Sequence, residues 1–308
     1  MASIASAGLI LVILLVLAVY DAKMVNRISL RLTAVIALVD IVNHLNNMAH
    51  WTLGEGDFCV ASAFLRFFGR QVYCFLNISI ALNLHLILLL ELRPEPSWEK
   101  YYWIFSFVVP LAMNLPPLAL GMFGFNGERC FVRHAAGYKI LLAINLPLVM
   151  LITFVYCSLI SVLVMIRLRA KLTIVRNLSP DDSISDQSIQ RKVEVSLKRL
   201  IFRISLYPVT CVISMSFYFF ANVWNIAIYN NTTLLAFAML GLTLTGILNL
   251  IAFLLDPTLQ AAAAAMSKSL KERFTRDYSL ADSPILLDPD LPPETNHQIH
   301  GNNNTKLL

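Results

Sequence analysis

Seven long apolar runs separated by short polar gaps fill this chain of 308 residues. They cover residues 4–22, 30–53, 59–92, 101–123, 138–166, 200–225 and 232–256. A hydrocarbon core about 30 Å thick is crossed by roughly 20 apolar residues in a helix, and each run reaches that length. The third and fifth exceed it and are expected to tilt or to extend into water. The pattern predicts an all-α fold, a seven-transmembrane-helix bundle.

Composition supports a bilayer as the solvent. Apolar residues make up 57% of the chain and charged ones 14%, with a mean hydropathy of +0.67. A soluble domain of this length has no use for so much apolar surface. The cations are unevenly placed. Lys23, Arg27 and Arg31 follow the first run, Arg93 and Lys100 the third, and Lys268, Lys271, Arg273, Arg276 and Lys306 the seventh. The fifth is followed by Arg167, Arg169, Lys171, Arg176, Arg191, Lys192, Lys198, Arg199 and Arg203. The alternate gaps hold Arg129, Arg133 and Lys139. By the positive-inside rule the N-terminus is expected outside, the C-terminus in the cytoplasm, and the protein in the plasma membrane as a multi-pass chain.

A cleaved signal peptide is the alternative reading of the first run, and it would leave six helices. Residues 1–6 carry no basic side chain, however, and the cations come after the run. A signal anchor with its N-terminus outside fits better.

Residues 1–258 are expected to form the transmembrane domain. The loop 177–190 is polar, contains Pro180, and reads as a flexible connection on the cytoplasmic side. Its Ser183 and Ser185 fit a plain spacer as well as a regulatory site. In 259–276, Leu259, Ala263, Met266, Leu270 and Phe274 recur at spacings of three or four while Lys268, Lys271 and Arg273 take other faces. This predicts a short amphipathic eighth helix on the inner leaflet of the lipid bilayer. Residues 277–308, rich in Pro, Asn and Asp, are expected to be a disordered cytoplasmic tail.

Cys74, Cys157 and Cys211 fall inside runs, where a thiol is an apolar filler. Cys59 begins the third run and Cys130 lies between the fourth and fifth, both on the expected outer face. An oxidising compartment favours a disulfide between them; the alternative is two separate thiols. Asn230 and Asn231 both fit N-x-T in an outer loop and are candidate glycosylation sites.

Ionisable groups inside a membrane are costly, so each asks for a partner, water or a task. Asp40, Asn43, Asn47 and His50 follow at spacings of three, four and three, one helical face that must turn inward. Asn83 and Asn249 are placed to join this stripe. The group reads either as a polar core that rearranges between two packings or as static bonding between helices. Arg66 and Arg70 stand one turn apart in the third run, and Arg129 and Arg133 flank Cys130. These four, with His50, form a candidate site for an anionic ligand, since guanidinium forks suit carboxylate and phosphate. The alternative is pairing with Glu55, Asp57 and Glu128, or snorkelling to the interface. Pro110, Pro116, Pro117, Pro147 and Pro208 interrupt helices and predict kinks, with Pro208 a candidate pivot.

Several chemistries are disfavoured. The seventh run holds no lysine for a retinal Schiff base. His44, His50 and His85 lack the spacing of an intramembrane zinc site. No nucleotide-binding glycine motif occurs, and the inner cations read as topological signals rather than as a nucleic-acid surface. No cofactor, metal or enzyme activity is expected.

Seven helices, an outer N-terminus, a cysteine at the start of the third helix matched by one in the next outer loop, a basic inner loop and a final amphipathic helix together resemble a G-protein-coupled receptor. The resemblance covers residues 1–276. The local motifs differ from the rhodopsin-like class: NLHLILLLELRP stands where that class has D-R-Y, SLYPVTCVIS for C-W-x-P, and GILNLIAFLLDP for N-P-x-x-Y. Tyr207 with Pro208, and Gly246 with Asn249, look more like the cyclic-AMP-receptor-like and fungal glucose-receptor-like group. The resemblance implies a sensor of an extracellular small molecule that activates a heterotrimeric G protein. Glu91, Arg93, Arg167, Arg169, Lys198, Arg199 and Arg203 are the candidate contacts with that partner by position. A small-solute transporter or channel is the alternative function.

Overall fold

A computed structural model describes residues 2–20, 28–49, 52–92, 96–125, 127, 129–133, 147–177, 209–213, 216–217, 219–220, 232–255 and 257–281. The fold among these is helical. Helix α1 is Ala2–Tyr20, α2 is Ile28–Ala49, α3 is Asp57–Leu84, α4 is Glu99–Ala119, α5 is Val149–Asn177, α6 is Thr232–Leu254 and α7 is Pro257–Ala281. Among the described residues, four segments, Ala2–Tyr20, Leu30–Ala49, Glu99–Ala119 and Val149–Arg167, are long and apolar enough to cross a membrane. On α5 an apolar stripe of Ile152, Val155, Leu159, Val162 and Ile166 faces outward. Ile104, Val108, Leu111 and Leu115 form a similar stripe on α4. Apolar surface of this extent suits lipid rather than water.

Helix α3 is the centre. It packs against α2, α4 and α5 and against a small hairpin, while α1 packs on α2 and α6. Being covered on many sides lets α3 carry Arg66, Arg70, Gln71 and Asn77 as buried residues. Two apolar clusters result. One joins α2, α3, α5 and the hairpin through residues such as Ile36, Phe67, Leu76, Phe123 and Ile160. The other joins α1, α2 and α6 through Ile10, Leu14, Ala37 and Phe253, with Leu259 and Ala262 from the first turns of α7.

Proline and glycine shape α4. Pro110 has no N–H to donate to the carbonyl one turn earlier, and one turn later Asn114 Nδ2 donates to Pro110 O (2.7 Å) and to Gln71 Oε1 of α3 (2.5 Å). The helix ends at Gly121, whose φ of +64° is the left-handed region that glycine enters without strain. Gly121 N–H donates to Leu118 O and Met122 N–H to Pro117 O, each 3.0 Å, a Schellman closure. The chain passes directly into strands β1 (Phe123–Phe125) and β2 (Cys130–Val132), antiparallel with Gly124 opposite Phe131.

At its other end α3 widens into a π-helical turn, His85–Leu89. Glu91 follows with φ +55°, and Leu92 N–H reaches back to Leu86 O at 3.0 Å. The third run therefore does not continue as α-helix to residue 92.

The tail helix also differs from expectation. It runs Pro257–Ala281 rather than 259–276. Proline suits a first helical position, and no helix breaker occurs until Pro284. The chain divides into two compact units, Met1–Ala264 and Ala265–Leu308. Within the second, Lys268 Nζ lies 3.9 Å from Glu272 Oε1, and the apolar Leu270 and Phe274 are exposed. The remainder of the expected tail lies outside the described residues.

Candidate functional site

The Asp40 stripe lines a cavity. Asp40, Asn43, His44 and Asn47 form its α2 wall, as one helical face of α2 dictates. Among the described residues, Arg70 and Tyr73 of α3 and Thr245 of α6 also line it. The empty volume is about 340 Å³, counting the part open to solvent. Asp40 lies at mid-length on α2 and accepts a hydrogen bond of 3.4 Å at Oδ2 from Ser3 Oγ of α1. His44 Nε2 stands 3.8 Å from Asp40 Oδ1. Asn249 Nδ2 of α6 donates to the Tyr73 hydroxyl at 3.3 Å, so α3 and α6 meet beside the cavity.

Glycines make these approaches possible. A Cβ on Gly69 of α3 would overlap the Asn43 amide, and one on Gly246 of α6 would overlap Ser3. Small residues at helix crossings let membrane helices approach closely. Gly246, which carried a motif in the sequence, acts here as a packing surface for α1.

Arg66 and Arg70 are both buried but reach different surroundings. Arg70 belongs to the cavity with Asp40. Arg66 lies under the hairpin, its guanidinium 5.3 Å from the centroid of the Phe131 ring. Arg129 approaches the same ring at 5.4 Å. Alternation along β2 puts Arg129, Phe131 and Arg133 on one side of the strand. The Arg133 side chain lies across Gly124, where a Cβ would collide with Nε, and its backbone N–H donates to Met122 O at 2.8 Å. Cys59 and Cys130 form a disulfide that fixes this hairpin to the start of α3.

Asn83 does not join the stripe. It lies 13 residues beyond Arg70, about 20 Å at 1.5 Å per residue, and accepts from the Tyr102 hydroxyl at 3.5 Å. Near this end of α3, Arg167 Nη2 of α5 pairs with Glu91 Oε1 at 3.1 Å, both exposed. Tyr156 Oη stands 3.4 Å from His85 Nδ1, and Arg31 Nη2 of α2 pairs with Glu99 Oε2 of α4 at 2.7 Å. Arg169 is exposed on α5. His50, Arg93, Lys198, Arg199, Arg203, Tyr207, Pro208, Asn230 and Asn231 lie outside the described residues.

Sequence reasoning missed Ser3, Gly69, Tyr73 and Thr245. A glycine inside a helix is costly unless something lies against it, so Gly69 carried a readable signal. The others carried none, because their neighbours lie far away in the chain.

The chain matches no protein-family model and no curated protein.

Proposed function

We propose that the chain is a G-protein-coupled receptor of the plasma membrane that senses an extracellular small anionic molecule and activates a heterotrimeric G protein. The course of α3 carries this reading. One buried helix is tied to the hairpin through Cys59 and Cys130, meets Phe131 through Arg66 and passes the Asp40 cavity. Its far end leads through the π-helical turn to Glu91, paired with Arg167. With the N-terminus outside, the hairpin faces the medium and Glu91, Arg167 and Arg169 face the cytoplasm. The anion is held by Arg66, Arg129 and Arg133, whose donors suit it. A ligand acts by binding one packing of the helices more tightly than the other, and a difference of about 1.4 kcal/mol shifts their ratio tenfold.

Reconstitution with a G protein tests this. Anionic agonists are expected to drive nucleotide exchange, with Arg66→Ala moving the dose response upward by about tenfold, the loss of one close charge contact. An unchanged dose response in both Arg66→Ala and Arg129→Ala removes the anion site. Absence of exchange under every agonist removes the receptor.

A small-solute transporter or channel is the second reading, favoured by the polar cavity at mid-length, the depth at which transporters hold substrate. Solute flux into vesicles containing this protein alone supports that reading against the first.

A further inference from the structure

One exposed face of α4 carries a single cation and then only apolar side chains. Lys100, Ile104, Val108, Leu111 and Leu115 follow at spacings of four, four, three and four, which sets them in one row along the helix. All five are exposed. From Ile104 to Leu115 the row rises about 17 Å at 1.5 Å per residue. Half of a hydrocarbon core measures about 15 Å, so the apolar part matches one leaflet and Lys100 stands at the level of its headgroups.

Aromatic side chains mark the same level. Trp98 and Tyr101 are exposed there, and Lys100 Nζ lies 5.1 Å from the centroid of the Tyr101 ring. Tryptophan and tyrosine settle where hydrocarbon meets headgroups.

The charges at this end leave one cation over. Glu99 Oε2 takes Arg31 Nη2 at 2.7 Å, and its Oε1 accepts from Trp103 Nε1 at 3.2 Å. Glu91 is paired with Arg167. Arg93 and Glu95, the other charged residues between α3 and α4, cancel in sign. Lys100 pairs with no carboxylate among the described residues.

We infer that this row is a binding surface for a glycerophospholipid whose headgroup carries a net negative charge. The headgroup phosphate takes Lys100, and one acyl chain lies along Ile104, Val108, Leu111 and Leu115. A zwitterionic headgroup gains less, because its own cation offsets its phosphate. In the expected topology the first turn of α4 faces the cytoplasm, the side on which anionic lipids are concentrated. The surface is separate from the Arg66, Arg129 and Phe131 group, and lipid held there needs no agonist. It therefore stands whether the chain signals or transports.

Native mass spectrometry of the purified full-length protein tests this. The protein is released from detergent beside equal amounts of phosphatidylserine and phosphatidylcholine with the same acyl chains, and single-lipid adducts are counted. The serine lipid is expected to be retained about fivefold over the choline lipid, the contribution of one lysine at a charged membrane surface. Lys100→Gln is expected to remove the preference and Lys100→Arg to keep it. Lys268→Gln takes away an exposed cation of α7 and is expected to change the ratio less, because Glu272 already offsets that charge. Equal retention of the two lipids by the unaltered protein overturns the site, and so does a preference that survives Lys100→Gln. A loss in Lys268→Gln as large as that in Lys100→Gln also overturns it, since general attraction to a basic surface then accounts for the preference.

Discussion

Ser3 lies directly against Gly246, and the same serine donates its hydroxyl to Asp40 at 3.4 Å. One small side chain thus sets the spacing of α1 against α6 and places a donor beside a buried acid of α2. Gly246→Ala is expected to force α1 outward and to cost about 1–3 kcal/mol, the usual range for overpacking. Thermal unfolding in detergent measures it. Ser3→Gly should restore only part of the loss, because Ser3 Cα itself lies 2.9 Å from the added carbon. Full restoration would contradict a backbone contact.

The Cys59 to Cys130 link spans 71 residues. A loop of that size contributes up to about 4 kcal/mol by restricting the unfolded chain, and less where unfolded helices stay in the membrane. Cys59→Ser, Cys130→Ser and the double variant should therefore lose the same stability, each matching the unaltered protein in reductant. Unequal losses would show that one sulfur matters apart from the bond.

Asn114 and Gln71 join α4 to α3 in a buried setting. Asn114→Leu leaves the Gln71 amide short of a partner, and the expected loss is about 0.6 kcal/mol, the average for such bonds inside membranes, and at most about 1.7 kcal/mol. Replacing both residues by leucine should cost less than the sum of the two single changes, because no polar group is then stranded. A double-mutant cycle on thermal stability reads this directly, and strict additivity would speak against the bond.

Glu91 and Arg167 are paired at the surface, with side chains 58% and 43% exposed. Solvent screens such a pair, so Glu91→Gln is expected to change stability by less than about 1 kcal/mol. An altered basal rate of nucleotide exchange, restored by exchanging the two residues as Glu91→Arg with Arg167→Glu, is what the receptor reading predicts. A large stability loss would assign the pair to folding instead.

Hydropathy made the helices readable because lipid imposes one length and one chemistry on a spanning segment. The stripe of Asp40, Asn43 and Asn47 was readable because helical spacing puts these residues on one face wherever the helix packs. The separation of Arg66 from Arg70 was not. Their spacing places both on one side of α3, but a turn along that helix changes the neighbour from the hairpin to α2. That depends on how far each partner extends, which no local pattern records. Tyr73 and Asn249 illustrate the same limit, being bonded across 176 positions. Asn83 looked, like Asn249, to lie at a depth that reaches the stripe, but its place along α3 took it to Tyr102.

The disulfide also makes a closed ring of chain. It contains α3, the turn after it, α4 and the hairpin, so a single cut between Cys59 and Cys130 leaves the polypeptide in one covalent piece. If the two helices span a bilayer, that ring passes through both surfaces of it. Proteolysis there changes connectivity while adding only one water to the mass, and the two pieces separate when a thiol reductant is added.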